Sequence, residues 1–106
     1  MFVSNQGEQL SRFRIAVERS DPEAAIEAMR RMDVVAPGDA LELCRLLARA
    51  GDPRFDRAAR RWLSQFADSA SLGDLQVAAA AIGALRAEPD SERAWDALVG
   101  LIRARN

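Results

Sequence analysis

Residues 53–67 read PRFDRAARRWLSQFA, and the fold turns on this stretch. Phe55, Ala58, Ala59, Trp62, Leu63 and Phe66 recur at intervals of one, three and four, the spacing of a helix with one dry side. The other side carries Arg54, Arg57, Arg60, Arg61, Gln65 and Asp68. Immediately upstream stands Gly51-Asp52-Pro53. Glycine can close the preceding helix in a left-handed conformation, and aspartate can cap the next one. Proline at the first helical position lacks only an N–H that a helix start does not need. Ser20-Asp21-Pro22 repeats the mark, and Ala87-Glu88-Pro89-Asp90 is a looser third version.

The same apolar spacing continues on both sides. It predicts helices over roughly 8–19 (Leu10, Phe13, Val17), 22–32 (Ala25, Ala28, Met29, Met32) and 40–50 (Leu43, Leu46, Leu47, Ala50). Beyond residue 67 it predicts helices over roughly 72–87 (Leu75, Ala78, Ala79, Ile82, Leu85) and 91–105 (Ala94, Trp95, Leu98, Leu101, Ile102). Asp39 with Glu42, and Ser71 with Asp74, have capping-box spacing. Leu41, Cys44 and Ala48 widen the apolar stripe of the third helix, and Val77, Ala80, Ala81 and Ala84 add a second side to the fifth. Both helices are therefore expected at the centre. Trp62 and Trp95 occupy equivalent offsets after Pro53 and Pro89, which places both in the core. The expected architecture is all-α: one helical domain over 1–106, with three antiparallel hairpins at about 8–32, 40–67 and 72–105. They stack either as an α-α superhelix or as an irregular helical bundle.

Composition points the same way. Apolar residues make up 49% of the chain, and 21 residues are alanine, the strongest helix former. All 15 basic residues are arginine, opposed by 16 acidic ones for a formal charge of -1, and no third of the chain is strongly charged. Nonspecific nucleic-acid binding draws on a basic field, and membrane-surface binding on attraction to anionic lipid; this balance supplies neither. The longest apolar run, VAAAAIGAL at 77–85, is half a membrane span. The opening MFVSNQGEQL has no basic segment followed by an apolar one, so a cytoplasmic location is expected.

Residues 40–66 (ALELCRLLARAGDPRFDRAARRWLSQF) and 72–86 (LGDLQVAAAAIGALR) together resemble the HEAT-like α-superhelical class. More loosely, they look like small helical-repeat proteins of high-GC bacteria. The resemblance covers about 40% of the chain and implies a scaffold or binding module. The Trp-Leu-Gly-Tyr pattern of tetratricopeptide repeats is missing, as is the Thr-Pro-Leu-His signature of ankyrin repeats.

Chemistry is sparse. With no histidine, the usual nucleophile–histidine arrangements and most catalytic zinc sites have no basis. Cys44 lies among Leu41, Leu43, Leu47 and Ala48 and reads as a buried, inert thiol. No phosphate-binding glycine loop occurs, so no cofactor and no small-molecule site are expected. Asp52 with Asp56, and Glu88 with Asp90 and Glu92, are paired carboxylates at helix starts, where acids complement the local dipole. A small carboxylate-dependent enzyme would need them to converge in a pocket.

The candidate interaction surface is Arg54, Arg57, Arg60 and Arg61, with Arg45 and Arg49 as possible extensions, Asp56 and Asp68 nearby, and Asp52, Glu42 or Asp39 as possible neutralisers. Its leading reading is a non-enzymatic protein-interaction or scaffold module, with a protein partner or self-association through the sixth helix. The alternative is an accessory or regulatory factor contacting nucleic acid or an acidic partner through these arginines.

Overall fold

The structure is a computed structural model, and it describes residues 6–105. Six helices occur among them, in the order α1 (Gln6–Glu18), α2 (Pro22–Arg30), α3 (Pro37–Arg49), α4 (Phe55–Ala67), α5 (Leu72–Ala87) and α6 (Glu92–Arg103). Each odd-numbered helix packs most closely on its even-numbered successor, so the three expected pairs form.

The two Asp-Pro marks end their helices in the same way. Asp21 N–H donates to the Ala16 carbonyl at 2.9 Å, and Asp52 N–H donates to the Leu47 carbonyl at 3.0 Å, each reaching five residues back. The residue before each aspartate takes a left-handed conformation: Gly51 at φ 61° and, less cheaply, Ser20 at φ 54°. The two marks open their next helices differently. Asp21 caps α2, its Oδ1 accepting from Ala24 N–H at 3.1 Å with Pro22 at the helix start. Asp52 does not cap α4, contrary to expectation. Its carboxylate is taken by Arg54, a stronger charged donor, and the helix begins only at Phe55.

The Asp39–Glu42 box also fails to form. α3 starts earlier than expected, with Ala36 as an uncapped N-cap and Pro37 opening the helix, so Asp39 lies inside the first turn. Ser71 and Ser91 cap α5 and α6, accepting from Asp74 N–H at 3.1 Å and Ala94 N–H at 3.2 Å. The linker between α2 and α3 is stapled to the start of α1: Gln6 Nε2 donates to the Val34 carbonyl at 2.7 Å, and Asp33 N–H donates to Gln6 Oε1 at 2.9 Å.

α3 is the hub. It touches all five other helices, and Leu41, Leu43, Cys44, Leu46 and Leu47 are all buried. The packing is a six-helix bundle around this hub, spanning 45 × 29 × 20 Å. Among the described residues, neither α1 nor α2 packs against α5 or α6. Phe13, Leu85 and Leu98 complete the fully buried centre from α1, α5 and α6.

α5 corrects an expectation. It packs on α3, α4 and α6 through Ala78, Ala81, Ile82 and Leu85, so of the second apolar side only Ala81 is covered; Val77 (49% exposed), Ala80 and Ala84 face outward, as does Ala79 of the main stripe. Alanine-rich surface loses little by staying in water, so nothing forces that side to be covered. The two tryptophans also part company. Trp62 is buried, stacks on Phe66 at 5.1 Å between ring centroids, and donates from Nε1 to the Pro37 carbonyl at 3.1 Å. Trp95 is only half-buried.

Two stability measurements check this packing. Trp62→Ala should cost about 3–5 kcal/mol by urea denaturation, and Trp95→Ala clearly less. Gln9 is buried with its Oε1 lacking any partner among the described residues. Gln9→Leu, which removes the unpaired oxygen, should therefore stabilise by about 1 kcal/mol; a loss of that size would reveal a hidden partner.

Candidate functional site

α4 presents its core residues Phe55, Ala59, Trp62 and Phe66 inward, which turns Arg57, Arg60 and Arg61 into solvent on the far side. Residues 57 and 61 are four apart and residues 57 and 60 three apart, spacings that bring side chains to within about 5–6 Å at Cβ. Arg57 and Arg61 form no ion pair among the described residues. Arg60 makes only a long contact of 3.4 Å, from Nε to the carbonyl of Asp56 one turn earlier.

Arg54, the fourth candidate, is not part of this free cluster. It donates to both oxygens of Asp52, at 3.0 and 2.7 Å, and reaches Glu23 on α2 at 2.6 Å. Asp56 is drawn the other way, to Arg86 on α5 at 3.1 Å. Arg45 and Arg49 do not extend the patch either. Both point from α3 toward α6: the Arg45 guanidinium lies 3.7 Å from the Trp95 ring centroid, and Arg49 Nε reaches Asp90 at 2.7 Å. Glu42 bonds Arg45 at 3.2 Å. Three guanidinium groups therefore remain available where four to six were expected.

A second surface was only partly legible. α1 and α6 both touch α3 but do not pack on each other, which leaves a groove of about 580 Å³ between them. Phe13 and Val17 line one wall, Trp95, Val99 and Ile102 the other, and Leu41 the floor, with Arg14, Glu18, Asp39 and Arg103 around them. The signal in the sequence was Val99, an apolar residue outside the main stripe of the sixth helix. A further hollow of about 850 Å³ lies below the start of α3, where Arg105 sits over the Phe66 ring at 4.6 Å and donates to Ser69 Oγ.

Cys44 is buried, and desolvation pushes its thiol up to about 12, away from nucleophilic use. Among the described residues, no group of three or more acidic or cysteine side chains is arranged to hold a metal ion. No helix among them is long and apolar enough to cross a membrane. Comparison with known proteins finds no matching family model, no matching curated protein and no matching solved structure.

The clasp beside the patch has a pH signature. Hydrogen bonds from the Arg54 side chain, then from its backbone N–H, hold the Asp52 carboxyl down to about 2, against an ordinary value of 3.8. A carboxyl lowered on folding contributes stability above its unfolded value and loses it as the pH falls toward the folded one. Urea midpoints should therefore drop between about pH 4 and pH 2, and Asp52→Asn should flatten that part of the curve relative to the native chain.

Proposed function

We propose that this chain is a non-enzymatic protein-interaction module whose docking face is the outer side of α4, and that its partner presents carboxylates there. The observation supporting this reading is the exposed trio Arg57, Arg60 and Arg61, none of them paired with an acid among the described residues. Elsewhere among those residues, seven ion-pair contacts occupy Arg12, Arg31, Arg45, Arg49, Arg54 and Arg86. Three like charges crowded onto two helical turns repel one another and cost stability, so an acidic surface that neutralises them binds with electrostatic gain. The planar guanidinium fork favours a bidentate grip on carboxylates.

An acidic protein surface fits better than nucleic acid. Three cations on a chain of net charge -1 make a small patch, and sequence-independent nucleic-acid binding commonly uses many more phosphate contacts. The proposal places the chain in the cytoplasm, where a single unpaired thiol is at home.

The test is a pull-down from native extract with three baits: the native chain, Arg57→Glu with Arg61→Glu, and Arg57→Lys with Arg61→Lys. Charge reversal should reduce recovery of acidic partners at least tenfold. The lysine variant, which keeps charge but loses the fork, should fall between the two. Identical recovery with all three baits would overturn the assignment of α4 as the docking face.

A further inference from the structure

We propose that the hollow below the start of α3 binds a free α-amino acid with a large apolar side chain, its carboxylate held by Arg105 and its ammonium by Asp74. This goes beyond the α4 reading and does not depend on it. The hollow exists because α4 and α6 do not pack on each other. The start of α3, the end of α4, the start of α5 and the end of α6 meet around it, and its volume of about 850 Å³ lies in the range of small-molecule sites. Its parts come from separate stretches of sequence, so apolar spacing carries no sign of it.

Arg105 is set up to clamp a carboxylate. Its guanidinium lies over the Phe66 ring at 4.6 Å, and Phe66 is itself stacked on Trp62, so an aromatic pair supports the charged group from below. Its Nη2 donates to Ser69 Oγ, and no acid pairs with it among the described residues. A guanidinium held by a ring and one nitrogen keeps its other N–H donors for a planar, bidentate acceptor.

Asp74 supplies the opposite charge. It lines the same hollow from the first turn of α5 and pairs with no basic group among the described residues. α5 and α6 are packed partners, whose axes commonly lie about 8–10 Å apart, and Asp74 and Arg105 stand at their shared end. The two nevertheless form no ion pair, because Arg105 turns to Phe66 and Ser69 instead. Neighbouring but unjoined charges of opposite sign suit a guest that carries both charges on one carbon, and suit a simple anion or cation less well. Pro37 and the half-buried Ile102 offer apolar surface to its side chain.

The site is open and its charges reach water, so affinity is weak, with a Kd of about 1 mM. L-leucine titrated into the native chain should move the backbone amide NMR signals of Ser69, Asp74 and Ile102 and leave those of Val17 and Val99, in the other groove, in place. N-acetyl-L-leucine, which lacks the ammonium, and L-leucinamide, which lacks the carboxylate, should each bind at least fivefold more weakly. Two variants assign the ends. Arg105→Gln should weaken L-leucine at least fivefold but leave L-leucinamide nearly unchanged, and Asp74→Asn should weaken L-leucine while leaving N-acetyl-L-leucine nearly unchanged. Arg105→Lys and Asp74→Ser repeat the measurement if either first variant loses its helical circular dichroism. Signals that stay still up to about 20 mM L-leucine overturn the proposal. So does equal binding of the capped compounds, or binding that neither substitution weakens.

Discussion

One constraint organises the molecule: α3 is apolar around most of its circumference, and a helix of that kind must be covered on nearly every side. α1, α2, α4, α5 and α6 all supply apolar cover, α6 through Ala94 and Leu98. The remaining strip of α3 carries Glu42, Arg45 and Arg49, whose aliphatic stems and charged tips meet Trp95 of α6 and Asp90 just before it. Covering the polar strip with arginines lets α6 close the bundle without leaving a buried charge unpaired.

Most of the fold was legible from apolar spacing, because the helices around α3 each bury one stripe and the wider apolar surface of α3 marks it as the element they cover. Helix number, pairing and the hub role of α3 all follow from where leucine, phenylalanine and alanine recur. Two kinds of detail were not legible. Local caps depend on competition among donors. Asp21 and Asp52 look alike in sequence, yet Arg54 claims the second carboxylate and no such neighbour claims the first. Alanine is ambiguous in another way: it fits a buried contact as well as an exposed face, so a run such as VAAAAIGAL cannot say how many of its sides are covered. For that reason apolar spacing puts α5 at the centre, whereas it lies at the edge.

The surface divides in the same way. That Arg57, Arg60 and Arg61 would face solvent could be read from the helical wheel. Asp52 was legible too as a neutraliser of the patch, and it takes Arg54. That Arg54, Arg45 and Arg49 would also be drawn to Glu23, Trp95 and Asp90 could not be read, because those partners are distant in sequence. Long-range pairing thus trims a broad arginine-rich region to a compact cluster, and leaves the positive surface narrower than composition suggests.

The unequal surroundings of the two indoles have an optical consequence. With no tyrosine in the chain, near-ultraviolet emission comes from Trp62 and Trp95 alone. One is shielded in the dry interior, and the other lies under a guanidinium at the lip of an open cleft. Their emission therefore reports two separate events. The shielded indole shifts to longer wavelength only when the whole bundle comes apart, while the wetter one responds to whatever enters the cleft or displaces the arginine above it. Unfolding and occupancy can be followed in one cuvette without an added dye.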